Sequence, residues 1–275
     1  MLTGVLRRIR INTHLKRRYP NVSLLAKGRH KTNSQNASIL HFTVHRCASQ
    51  FVLQIFKIIE RYSDMTQIAL EGYFWNGGTL HTNPEEIYKK RGYLYGPFYG
   101  MDQEELTVPI PNLDDFKIVL ILRDPRDVLT SYYFYQAFSS YDNPAQTDFL
   151  IARNDKVRNT LIDNWVLETA PVFKARYEEY LKTLYGRSNV LFLKYEDMVA
   201  DFDAWLHKLI DFSGLNLERQ AIESILRTAH FSVKTEDNTS HKRQVTPGDH
   251  KRKLKTQTID ALDLQFHAVL EGFGF

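Results

Sequence analysis

Two segments of this chain place an arginine and short hydroxyl side chains where an apolar run stops. The first is His45-Arg46-Cys47-Ala48-Ser49-Gln50-Phe51, after the run 38–44 and ahead of an apolar stripe made by Phe51, Val52, Ile55, Phe56 and Ile59. A strand–turn–helix junction presents backbone N–H groups and a positive helix end to an anion such as phosphate. Arg46 adds a fixed charge with bidentate donors. No glycine lies between Gly28 and Gly72 and no Gly-Lys-Ser/Thr occurs, so this is not a Walker A loop and a nucleoside triphosphatase loses its basis. A structural turn and an anion site fit this segment equally well. The second segment is Arg123-Asp124-Pro125-Arg126-Asp127-Val128-Leu129-Thr130-Ser131-Tyr132-Tyr133, after the run 117–122. Pro125 can open a helix, which puts Ser131 about two turns along it. Such a serine commonly faces solvent or bonds back to the i−4 carbonyl. The functional alternative is that Arg123 and Ser131 hold one phosphate between them.

The elements that must position these residues follow from hydrophobic pattern. Runs at 38–44, 66–70, 117–122 and 189–193 read as strands, and 117–122 and 189–193 are apolar enough to be buried on both faces of a parallel sheet. Helical spacing follows the first and third runs and recurs at 156–184, 198–212, 217–229 and 257–271. The pattern predicts an α/β fold, a single domain with a central parallel sheet flanked by helices. Ligands in such folds bind beyond the carboxyl ends of the strands. Segments 76–110, 139–155 and 232–252 read as long loops or lids, the first rich in aromatic residues.

Composition narrows the classes. The chain has 275 residues, 43% hydrophobic and 25% charged, well away from a disordered profile. Its single cysteine excludes an intrachain disulfide and a cysteine-based zinc site. No apolar run approaches the roughly 18 residues of a membrane span, and the basic start lacks the apolar region of a signal peptide, so a cytoplasmic location is expected. The net charge of +4 is concentrated at 7–18 and 241–255, which favours a polyanionic ligand. A nucleic-acid-binding protein would use the same two clusters.

RDPRDVLTSYY, residues 123–133, resembles the 3′-phosphate-binding motif of sulfotransferases that use 3′-phosphoadenosine 5′-phosphosulfate (PAPS). HRCASQF, 45–51, stands where that family carries its 5′-phosphosulfate loop, PKSGTTW. LKYEDM, 193–198, is similar to the family strand ending in Tyr-Glu-Asp, and RQVTPGDHK, 243–251, to the C-terminal loop RKGxxGDWK. The resemblance spans roughly 38–275, leaving 1–36 as a basic N-terminal extension and 37–275 as the sulfotransferase domain. It implies the family's P-loop-like fold and cofactor contacts from Arg46, Cys47, Ala48, Ser49, Gln50, Phe51, Arg123, Ser131, Tyr195, Phe231, Arg243 and Gln244. The chain departs from the pattern at Arg46 for Lys, Ala48 for Gly, Gln50 for Thr, Phe51 for Trp, and Gln244-Val245 for Lys-Gly.

The resemblance further implies in-line sulfuryl transfer from PAPS, releasing 3′,5′-phosphoadenosine (PAP), with no metal required. Arg46 would stabilise charge on the leaving phosphate. Cytosolic members carry a histidine in a Lys-Thr-His segment, and the matching region 92–100 has none. Heparan-type members carry a catalytic glutamate at the end of the second strand, which here is Glu71. A carboxylate near pKa 4.3 is ionised at neutral pH and can take the acceptor proton. His81 is the reserve base, and His41 and His45 read as satisfied structural residues. Phe51 and Phe231 would form the adenine end, with a polar contact from Tyr195. The expected acceptor is a hydroxyl or amine of a small molecule, cyclic or aromatic, such as a metabolite or natural-product scaffold. Tyr73, Phe74, Trp75, Tyr93, Tyr95 and Phe98 would line its pocket or belong to the core. Neither a nucleic acid nor a membrane is an expected partner. A non-catalytic PAPS-binding relative is the main competing reading; a nucleotide kinase lacks its P-loop and metal ligands.

Overall fold

Five short apolar strands form one parallel sheet in the order β2-β3-β1-β4-β5. They are β1 (Ile39–Thr43), β2 (Thr66–Ile68), β3 (Tyr93–Phe98), β4 (Lys117–Leu122) and β5 (Val190–Lys194). The computed structural model describes residues 2–275 except 31, 81–82, 102–107, 139–146, 230, 232, 234 and 239–242. The helices are α1 (Leu2–Arg18), α2 (Pro20–Leu25), α3 (Ser49–Tyr62), α4 (Leu70–Trp75), α5 (Pro84–Ile87), α6 (Pro125–Phe138) and α7 (Thr147–Arg158). They continue as α8 (Ile162–Thr183), α9 (Tyr195–Ala200), α10 (Phe202–Ser213), α11 (Arg219–Leu226), α12 (His250–Lys253) and α13 (Thr256–Phe273).

Side chains alternate across a strand, and here both sets are covered. Leu40, Phe42, Ile118, Leu120 and Leu122 join one apolar cluster with α6, α8 and α13. Ile39, Val119, Ile121 and Leu193 join the other with α3, α9, α10 and α11. Double-sided burial explains why these strands read as continuous apolar runs. His41 falls among them, fully buried with neither ring nitrogen bonded within the described structure. Burial pushes its pKa down to about 3, so it is a neutral core residue, although not the satisfied one expected.

Two segments expected as loops are regular structure. β3 lies inside 76–110 and sits between β2 and β1, with Tyr93, Leu94, Tyr95 and Phe98 all buried. Gly96-Pro97 interrupts its apolar pattern, and turn residues of that kind ordinarily end a strand. In the structure Gly96 takes φ +120, and a Cβ there would stand 2.6 Å from the His41 carbonyl oxygen. The glycine thus permits the close approach of β3 to β1, where the register shifts between Leu40 and Phe42. α7 falls partly within 139–155, whose first residues, to 146, lie outside the described set.

The N-terminal helices lean on the sheet's β2 edge. Leu15, Val22 and Leu25 enter the core, and Asn21 donates to the Gln67 carbonyl at 3.1 Å. Tyr19 packs edge-on to Tyr73 of α4 at 6.2 Å. Its hydroxyl sits so close to Gly72 that a Cβ there would be 2.8 Å away. The basic segment therefore buttresses the helix that carries Glu71.

Gly96→Ala adds both positive-φ strain and a clash with backbone. It should lower stability by about 2–4 kcal/mol, read as a drop in denaturant midpoint with an unchanged slope.

Candidate functional site

The loop leaving β1 turns into α3 through two left-handed residues, Arg46 (φ 71) and Ala48 (φ 60). Each costs a non-glycine residue about 1–2 kcal/mol, so the loop keeps a glycine-like turn although Ala48 carries a Cβ. No side chain caps α3, which leaves its first N–H groups open to an anion. Arg46 Nε donates to Ser131 Oγ at 3.1 Å, and its guanidinium lies 4.8 Å from the Tyr135 ring centroid. Ser49 Oγ and the Tyr99 hydroxyl share a hydrogen bond of 3.0 Å. Cys47 points into the core, where burial pushes its thiol up to about 12, so it is no nucleophile at neutral pH. Gln50 is exposed.

The turn after β4 is organised by a different partner from the one expected. Ser131 meets Arg46, whereas Arg123 bonds Asp127 at 3.2 Å and lies 4.4 Å from the Tyr195 ring centroid. Asp127, fully buried, also accepts from Gly248 N at 2.7 Å, His250 N at 2.9 Å and His250 Nδ1 at 2.6 Å. Burial works against this carboxylate, but the His250 bonds and the Arg123 charge outweigh it and hold its pKa well below the usual range. The Tyr195 hydroxyl donates to the Val245 carbonyl at 2.7 Å, pinning the same loop. Within that loop Arg243 pairs with Glu236 and Asp249 and covers the Phe134 ring at 4.1 Å. Gln244 Oε1 accepts from Thr246 N. One donor of this cluster is left over: Arg123 Nε is buried with no hydrogen-bond partner within the described structure.

Phe51 and Phe231 do come together. They meet edge to face at 5.2 Å, and Phe202 closes a three-ring cluster at 5.3 and 5.4 Å. The rings touch, so a flat base packs against the cluster rather than between its members in this arrangement.

Glu71 lies in the first turn of α4, just past β2, rather than on the strand itself. Burial pushes its carboxyl up to about 7, so it is not the fully ionised group of the sequence expectation. Its charge bears on Tyr88 and Tyr99. His81 lies outside the described residues. His45 belongs to the site rather than to the core. Its ring stacks on Tyr99 at 4.1 Å and on Tyr132 at 5.3 Å, and Tyr132 stacks on Tyr135 at 6.1 Å. Burial, with Arg176, Arg46 and Arg153 nearby, pushes His45 down to about 3, so the imidazole is neutral. Of the aromatic residues expected around an acceptor, Tyr73, Tyr93, Tyr95 and Phe98 are core. Tyr99, Asp127, Tyr132 and His250 went unread as site residues. Asp127 and Tyr132 lie inside the singled-out motif, but nothing in spacing marks a buried carboxylate.

Among the described residues no group of three His, Cys, Asp or Glu side chains is placed to hold a metal, and no helix is long and apolar enough to cross a membrane.

A family model described as "Sulfotransferase domain" matches residues 108–274. Sulfotransferase 2A1 of Rattus norvegicus is 26% identical over 174 residues, 57% of each chain. Sulfotransferase 4A1 of Mus musculus is 29% identical over 122 residues, 43% of this chain and 39% of the relative. The chain thus spans 57% of the length of the first of these relatives and 39% of the second. Among solved structures, mouse sulfotransferase SULT7A1 complexed with PAP covers 91% of this chain and 90% of its own, with a TM-score of 0.55 at 17% identity. Retinol dehydratase in complex with androsterone and inactive cofactor PAP covers 85% and 80%, with a TM-score of 0.56 at 15% identity. These two share the fold.

Glu71 makes a stability prediction of definite sign. Its folded pKa is raised, so the folded state holds a proton that the unfolded chain has lost between about pH 4.5 and 7, and stability falls as pH rises through that window. Glu71→Gln should therefore stabilise the protein by about 1–2 kcal/mol at pH 8, less than the full shift because the side chain is only partly buried. The gain should vanish below about pH 4.5 in paired thermal melts.

Proposed function

The chain belongs to the sulfotransferase domain family, and on that premise we propose that it moves the sulfuryl group of PAPS to a hydroxyl or amine of a small-molecule acceptor. One observation carries this reading. The Arg46–Ser131 hydrogen bond joins the loop after β1 to the helix after β4, so the two anion-binding motifs meet beyond the ends of two adjacent strands. The residues present fit the cofactor. The uncapped α3 start and Arg46 suit a 5′-phosphosulfate, the spare Nε of Arg123 suits a 3′-phosphate, and the Phe51–Phe231 cluster offers a face to adenine.

PAPS, when bound, supplies an activated sulfuryl group on a phosphate leaving group. Arg46 holds positive charge at the leaving oxygen, where it acts mainly in the transition state. Arg123, Ser131 and Arg243 hold the 3′-phosphate, and Tyr195 positions the loop that carries Arg243 and Gln244. Cys47, Ala48, Ser49 and Gln50 contribute the turn whose backbone N–H groups face the anion. Glu71 takes the acceptor proton. A carboxyl with pKa near 7 is better matched to that task at neutral pH than an ordinary glutamate, because a base gains strength as its pKa rises. The single unpaired cysteine suits a reducing compartment such as the cytoplasm. Retinol dehydratase binds androsterone or retinol beside PAP in its solved structures, which supports a compact organic acceptor.

Calorimetry with PAP, AMP and ADP tests the cofactor. PAP should bind at least about tenfold more tightly than AMP, and Arg123→Ala should abolish that preference. Equal binding of all three nucleotides by folded protein would end the assignment. The base is tested separately: Glu71→Gln should lower turnover by about 100-fold or more while PAP affinity stays within about threefold. Wild-type turnover should rise with pH through about 7 and then level, since the base works deprotonated. A non-catalytic PAP-binding relative predicts binding with no turnover to lose.

A further inference from the structure

The Tyr99 hydroxyl is a polar group at the centre of the site to which neither motif assigns a task. Tyr99 follows the last residue of β3, and β3 lies directly beside β1, so the phenol stands next to the loop that begins at the end of β1. Its hydroxyl is bonded to Ser49 Oγ at 3.0 Å, at the first turn of α3. Its ring is held flat on His45 at 4.1 Å and 19°, which fixes where the hydroxyl points. The charge of Glu71 bears on the phenol, as does Tyr135, whose ring carries the Arg46 guanidinium.

Two hydroxyl groups bring two protons to this pair, and their mutual bond uses one. The other is left for a further acceptor, the Gln50 side chain also bonding the phenol. Burial pushes the Tyr99 phenol up to about 12, so it keeps its proton at neutral pH and cannot serve as a base. In the sulfotransferase reading the sulfuryl group lies at the loop that carries Arg46 and Ser49, and a donor held on Ser49 stands beside that loop.

We propose that the Tyr99 hydroxyl, oriented by Ser49 and by its stack on His45, donates a hydrogen bond to the sulfuryl group and so lets the protein distinguish PAPS from PAP. This rests on the sulfotransferase reading and adds a recognition residue to it. Tyr99 surrenders no proton in this role, and Glu71 remains the acceptor's base.

Calorimetric titration of PAPS and PAP into the unmodified chain and Tyr99→Phe tests the assignment without an acceptor. The phenylalanine keeps the stack on His45 and removes only the hydroxyl. Tyr99→Phe should weaken PAPS about tenfold, the worth of a hydrogen bond to a charged group, and leave PAP within about twofold. Ser49→Ala should reduce the PAPS-over-PAP preference in the unmodified background and leave it unchanged in the Tyr99→Phe background, since the serine acts on that preference through the phenol. An equal loss for both nucleotides would mark a general disturbance of the loop and overturn the proposal, as would no loss for either. Failure of the unmodified chain to bind PAP at all would defeat the sulfotransferase reading itself, and the role of Tyr99 with it.

Discussion

Asp127 is a carboxylate with no exposure to solvent, and its oxygens accept hydrogen bonds from donors in two distant parts of the chain. Arg123 reaches it from the end of β4, while Gly248 and His250 reach it from the loop that returns before α12. A charge in that position is tolerable only if all its partners are present together. Each partner is therefore fixed by the other. The arginine cannot swing toward solvent, and the loop cannot lift away, without stranding a buried charge. The Tyr195 hydroxyl on Val245 and the Tyr177 hydroxyl on the Arg123 carbonyl reinforce the same point from the start of α9 and from α8. A strand end, a helix start and a loop some 120 residues later in sequence become one rigid wall.

That wall explains a division of labour between the arginines. Arg123 is preorganised by Asp127 and keeps one donor in reserve. Arg243 is compensated by Glu236 and Asp249, both from its own surroundings in the chain. Arg46 is held by a neutral serine and an aromatic face, among its contacts, on a strained backbone. The three differ in how much each must give up to receive an anion. The buried Glu71 carboxyl carries the opposite cost, since its site withholds the solvation that would keep it ionised.

The sheet was legible in proportion to how continuous its strands are. The runs at 117–122 and 189–193 match β4 and β5 to within a residue, because strands covered on both faces have no reason to alternate. β3 was hidden by Gly96-Pro97, residues there for a close approach that only tertiary structure reveals. The same holds at the site. Arg46, Arg123 and Ser131 were singled out by type and spacing, and the structure brings Phe51 and Phe231 into contact. The Arg46–Ser131 contact, the Asp127 cluster and the raised pKa of Glu71 were not. Each depends on which groups exclude water from one another, and a linear pattern carries no record of that. His45 shows the limit plainly: one residue past the apolar run it reads as structural, yet it forms the middle of an aromatic stack.

The strand order has a consequence for how the chain is made. β1 is central, and both of its neighbours come later in the sequence, β3 about 50 residues on and β4 nearly 80. During synthesis its five buried residues leave the ribosome with no partner strand available, and β2, the next strand to emerge, never pairs with it. The N-terminal third of the chain must therefore wait, with an apolar template exposed, until β3 and then β4 arrive. Long-range parallel pairing of this kind is slow and prone to aggregation. A fragment ending before β4 can pair β1 along one edge alone, with β3, and leaves its other edge open.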